Sequence, residues 1–72
     1  MIENIDQYLD QLKAELAGSD RATIQDALAD AQEHLTSALD HARDMPDYVS
    51  EANALQSIVE EYGAPQETAM AY

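Results

Sequence analysis

The chain has 72 residues, no cysteine, and fifteen acidic side chains against three basic ones, for a net charge of −12. It is at most one domain, and disulfide or thiolate chemistry is closed to it. Lys13, Arg21 and Arg43 are too few cations for the phosphate contacts of nucleic-acid binding or of a basic membrane-facing patch.

Its hydrophobic content, 46%, is ordinary for a folded domain and too high for a disordered acidic tail. The first apolar stripe runs through Ile2, Ile5, Leu9, Leu12 and Leu16 at spacings of three and four, with Tyr8 beside it. This period predicts an amphipathic helix over roughly 2–17. Glu3 and Asp6 crowd its first turns, where the helix dipole favours acids. Gly18 follows the last apolar position as a left-handed cap.

A second helix is predicted over roughly 20–44, with Ser19 or Asp20 as its N-cap. Its stripe interleaves Ile24, Leu28, Leu35 and Leu39 with Ala27, Ala31, Ala38 and Ala42. Small residues there would receive the larger ones of the first helix. The short Gly18-Ser19 link makes the two helices antiparallel neighbours. Met45-Pro46-Asp47 then interrupts the period. Pro46 suits the first turn of a third helix over roughly 47–62, with Val49, Ala52, Leu55, Ile58, Val59 and Tyr62 inward and Gly63 as its stop. Pro65 opens a last short helix toward Tyr72, and Thr68, Ala69, Met70 and Tyr72 are expected to dock one side of it on the bundle. No stretch alternates as a strand does, and there is no internal repeat.

The predicted fold is therefore all-α, a small three-helix bundle with a short fourth C-terminal helix, in which residues 1–72 form a single domain. Leu9, Leu12, Leu16, Leu28, Leu35, Leu39, Leu55 and Ile58 are its expected core.

Few residues carry chemistry. His34 and His41 are seven apart on one face of the second helix, with Asp30 four before the first and Asp44 three after the other. Carboxylates and imidazoles are metal ligands. A zinc site, however, needs tighter ligand pairs or a second converging segment, and ordinary i,i+3 and i,i+4 pairs explain the spacing. Ser19, Ser37, Ser50 and Ser57 lack a nucleophile elbow. Ser37 is four before His41, but one helix face supplies no oriented base in a cleft. With fifteen acids, a carboxylate pair is expected by chance, and acid–base work needs a pocket that splits their pKa values. No catalytic residue, cofactor or metal is expected. Tyr8 and Tyr62 flank apolar stripes as core-edge residues with hydroxyls reaching water, while Tyr48 is expected as an exposed contact.

Three segments resemble the HAAS domain, an α-helical signalling domain of bacteria. They are the opening Ile5-Asp6-Gln7-Tyr8-Leu9-Asp10-Gln11-Leu12, the middle Glu33-His34-Leu35, and the closing Gly63-Ala64-Pro65-Gln66-Glu67-Thr68-Ala69. Tyr8, Leu9, Leu12, Glu33, His34, Gly63, Pro65 and Ala69 carry the likeness, which spans nearly the whole chain. The chain departs from the pattern at Ala31, where many members have an aromatic residue, and in a longer interval between His34 and Gly63. The resemblance implies a non-enzymatic cytosolic domain that precedes transmembrane helices at the inner face of the membrane and is associated with PadR-like transcription regulators.

Two alternatives come from the residues themselves. A three-helix chain this short buries little, so it could complete its core by self-association as a homo-oligomer. Its charge could also make it an acidic decoy for a basic partner. No window approaches the ~20 apolar residues of a membrane span. No signal peptide is expected. The ending at Tyr72 without a stop signal predicts a piece of a longer protein, and the resemblance implies that it is the N-terminal part.

Overall fold

A computed structural model describes residues 2–71. It contains four helices: α1 (Ile5–Glu15), α2 (Arg21–Arg43), α3 (Glu51–Tyr62) and α4 (Pro65–Met70). The described residues include no strand, and the fold is all-α as the periodicity predicts.

Capping side chains decide the starts of α1 and α3, whereas Asp20 at the start of α2 makes no side-chain cap hydrogen bond. Asn4 has extended backbone angles, and its side-chain oxygen accepts the Gln7 N–H at 2.8 Å. Gln7 Oε1 reaches back to the Glu3 N–H at 2.7 Å. The pair satisfies amide donors that the first turn leaves unpaired, so α1 starts at Ile5 rather than Ile2. Ser50 does the same for α3, accepting the Asn53 N–H at 3.1 Å. The expected start near Asp47 is therefore corrected to Glu51. Pro46 occupies the second position of a turn closed by the Tyr48 N–H on the Met45 carbonyl at 3.2 Å. Proline's fixed φ suits that position. Val49, expected on the buried side of α3, precedes the helix and is 77% exposed.

With 23 residues, α2 is about 34 Å long and sets the long dimension of a molecule measuring 41 × 20 × 17 Å. The helix pairs that hold the fold are α1 with α2, α2 with α3, and α1 with α4. Tyr8, Leu12 and Leu16 form one buried cluster with Ala27, Ala31 and Leu35 of α2. Large side chains of the α1 segment thus fill the space left by two alanines, as interdigitation requires. Leu39 and Leu55 are buried outside this cluster. Leu9, Leu28 and Ile58 are only half-buried at its edge, a correction to the expected core, whereas Ala27, Ala31 and Tyr8 are fully enclosed.

Near the turn between them, Arg43 links α2 to α3. Arg43 reaches Asp40 at 3.4 Å and Glu51 across the turn at 3.0 Å. Both pairs are exposed and are screened by salt. Repulsion among fifteen acids is screened too, and it opposes the compact state. The many repulsions outweigh two exposed attractions, so salt is expected to stabilise. Raising NaCl to ~1 M, which shortens the Debye length from ~30 Å at 0.01 M to ~3 Å, should raise the Tm measured by circular dichroism. A Tm that falls on adding salt would mean that the Arg43 pairs dominate.

Candidate functional site

The junction where α3 turns into α4 is built around a glycine and a proline. Gly63 has φ +119° and ψ 141°, a region open essentially to glycine alone. Its N–H closes the last turn of α3 on the Val59 carbonyl at 2.8 Å. Pro65 then occupies the first position of α4, where its missing N–H and fixed φ suit a helix start, and its ring is buried. Ala64 has no side-chain acceptor, so capping is one-sided. Glu67 Oε1 accepts the Ala64 N–H at 3.3 Å.

Tyr8 ties this joint to α1. Its hydroxyl donates to the Gly63 carbonyl at 2.7 Å and lies 2.8 Å from Thr68 Oγ1. A phenol has one hydrogen. With that hydrogen on Gly63, the threonine hydroxyl donates to the Tyr8 oxygen. The hydroxyl therefore does not reach water, which corrects the sequence expectation for Tyr8. The ring meets Tyr62 at 6.1 Å in a tilted arrangement, and Tyr62 in turn stacks on His34 of α2 at 4.4 Å and 24°. Aromatic contacts at these separations add to the area they bury. The three segments singled out in the sequence thus meet at one place. Leu12 is in the buried cluster, Leu9 and Ala69 pack against it, and Glu33 is exposed on α2 beside His34.

Burial pushes the Tyr8 phenol above its ordinary pKa of 10.0; the Thr68 hydrogen bond pulls it back, and the Glu67 charge pushes it further up. The folded-state value exceeds the unfolded one, so this contribution to stability is fully present below pH 10 and lost as pH rises through the folded value. Tyr8→Phe should cost about 0.5–1.5 kcal/mol at neutral pH, the worth of a hydrogen bond. It should also flatten the alkaline loss of stability. Urea melts at pH 7 and above pH 10 measure both effects. An equally steep alkaline loss in Tyr8→Phe would assign that loss to other groups.

The metal candidates are not gathered. His34 and His41 are separated by about 10 Å along the axis of α2, while a metal holds nitrogens at about 2.0–2.1 Å. His34 lies against Tyr62, and Asp30 lines a surface cleft of about 560 Å3 with Glu60, Glu61 and Glu67. His41 lines a different groove, and the Asp44 N–H caps the end of α2 on the His41 carbonyl at 3.2 Å. Among the described residues, no group of three or more His, Asp and Glu side chains could hold a metal ion. Of the C-terminal docking residues, Thr68 and Ala69 are in place. Met70 is 85% exposed and does not dock, and Tyr72 lies outside the described residues.

No family model, curated protein or solved structure matches the chain. Among the described residues, no helix is long and apolar enough to cross a membrane.

Sequence reasoning missed Thr68 as the hydroxyl partner of Tyr8, and it missed the His34–Tyr62 stack. The first pair is sixty residues apart, and nothing in one sequence links a threonine in a short final helix to a tyrosine near the start. Tyr62 was expected to face inward; only its neighbour on α2 was hidden.

Proposed function

We propose that the chain is a non-catalytic signalling and protein-interaction module of the HAAS type. In this reading it is the cytosolic N-terminal part of a longer protein, held at the inner face of the membrane. Its partner is a PadR-like regulator or its own membrane portion. The observation that supports this most is the convergence of the three motif segments. Tyr8 of the opening segment bonds to Gly63 and Thr68 of the closing one, and Tyr62 links both to His34 of the middle. The group is placed at the joint leading into the C-terminal helix. A clip of that kind transmits a change at the bundle to whatever follows α4, because α4 cannot move without breaking the Tyr8 hydrogen bonds.

The test is a pull-down at moderate salt with the chain as bait, against the membrane portion of its own protein and against PadR-like regulators encoded beside it. Ending the chain at Gly63 is a poor comparison, since it strips Pro65 and Ala69 from the core. Tyr8→Phe is a better one, because it releases the joint and keeps the ring. Retention by the parent chain and weaker retention by Tyr8→Phe is the expected result. Equal retention removes the joint from the reading, and no retention above background by the parent chain defeats the reading itself.

A further inference from the structure

We propose that the open groove between the C-terminal half of α2 and α3 is a docking site for a basic amphipathic helix of a partner protein. The inference rests on the interaction-module reading and names its surface and the chemistry of its partner.

The groove has a volume of about 330 Å3. Ala38 and Ala42 of α2, Met45 and Tyr48 of the connecting segment, and Ala54 and Ile58 of α3 supply its apolar lining. Positions 38 and 42 of α2 fall on one helical stripe, as do 54 and 58 of α3, and Met45 follows in the turn beyond α2. The groove is therefore a mostly apolar face of the helix pair, interrupted by the polar side chains of His41, Asn53 and Ser57. The buried cluster with α1 occupies Ala27, Ala31 and Leu35, at the other end of the contact face of α2, and α4 packs on α1. The groove is left uncovered, with Met45 47% exposed at its mouth. Alanines on both walls allow the close interaxial approach that small contact residues permit.

Charge identifies the occupant. From Ala38 to Glu61 the chain carries six carboxylates and one guanidinium. That guanidinium, Arg43, is already engaged by Asp40 and Glu51. Asp47 and Glu61 stand on the groove's own rim. A second copy of this chain would bring two such acidic rims together, and like charges across an interface cost several kcal/mol. Anionic lipid and nucleic acid are repelled for the same reason. A cationic helix is attracted, and apolar side chains at i and i+4 would match Ala38 and Ala42, about 6 Å apart along α2, with one at i+7 reaching toward Met45 beyond its end.

The experiment uses the full 72-residue chain, labelled with nitrogen-15, and a synthetic peptide of about 14 residues, near the shortest length that is helical in isolation. The peptide has leucines at i, i+4, i+7 and i+11 and lysines elsewhere. A second peptide has the same composition with the leucines scrambled. At about 0.15 M salt, where the Debye length is about 8 Å, the amphipathic peptide should shift the amides of Ala38, Ala42, Ala54 and Ile58. It should bind at least about tenfold more tightly than the scrambled one. Ser57→Lys places a cation on the exposed rim and should weaken binding at least about tenfold. Gln25→Lys makes the same change of net charge on the distant half of α2 and should leave binding near the parent value. Equal binding of both peptides, equal weakening by both variants, or shifts confined to another face overturn the groove while leaving the pull-down reading intact. Absence of binding by either peptide overturns it as well. A dimer of the unliganded chain through this groove, seen by light scattering with shifts at the same residues on dilution, would assign the face to self-association and sink the proposal.

Discussion

Leu35→Ala is expected to leave the chain largely unfolded at 25 °C. Leu35 is fully buried on α2 and belongs to the cluster that unites Tyr8, Leu12 and Leu16 with Ala27 and Ala31. Its neighbours in that cluster on α2 are alanines, which have no side chain to swing into the vacated space. The site therefore relaxes little, and the cost falls in the range of about 2–5 kcal/mol seen for buried leucine truncations. A single core of this size supplies about 3–5 kcal/mol in total. Loss and reserve are comparable, so the folded population should collapse rather than decline slightly. Circular dichroism at 222 nm during a urea titration measures it. Leu28→Ala is the internal comparison. That side chain is half-buried at the edge of the same cluster, so it loses less apolar contact and should retain a cooperative transition. If Leu35→Ala melts with a midpoint near that of the parent, the helices are held together by something other than this cluster.

The contrast between those two leucines shows what periodicity can and cannot specify. The spacing of Leu12, Leu16, Leu35, Leu39 and Leu55 places them on inward stripes, and all five are buried. A stripe, however, is wider than the contact it makes. Leu9, Leu28 and Ile58 lie on the same stripes but at their margins. Only the placement of the partner helix separates margin from centre. Ala27 and Ala31 are at the centre because α1 presses its large residues there, a fact about two helices rather than one. The starts of α1 and α3 depart from the period for a different reason. Asn4 and Ser50 are good N-caps, but apolar Ile2 and Val49 precede the helices, and the period alone continues through them. Pro46 added to the error, since proline is as suitable in a turn as in a first helical turn. At the candidate site, the sequence pattern selected Tyr8, His34 and Gly63, and the structure brings their segments together. The bonds that join them depend on a sixty-residue closure that no local pattern encodes.

Gly63→Ala should be the most damaging substitution outside the buried leucines, and its damage should fall on the α3–α4 joint. At φ +119° and ψ 141° an L side chain is strained, at a cost of order 1–3 kcal/mol. A Cβ there would also lie 3.3 Å from Thr68 Oγ1. That oxygen would have to give way by a few tenths of an ångström, which disturbs its hydrogen bond with Tyr8 at 2.8 Å. Strain and clash therefore act on the same three residues, and α4 should detach from α1. Gly18 provides the control. Its φ is also positive, +101°, but a Cβ there meets nothing within 4 Å. Gly18→Ala should cost only the backbone term, about 1–2 kcal/mol, with α4 undisturbed. Thermal melts rank the two variants. Hydrogen exchange on the Thr68 amide, which bonds to the Ala64 carbonyl at 2.9 Å, reports unwinding of α4, which a helix of six residues undergoes once it leaves α1. Combining Gly63→Ala with Thr68→Ala removes the clash and leaves the strain. If the clash contributes, the double variant loses less than the sum of the two single losses. Additive losses would mean that backbone strain acts without the clash. Gly63→Ala melting like the parent, with Thr68 still protected, would show that Tyr8 does not hold the joint in its strained conformation, and the clip would lose its role as a transmitter.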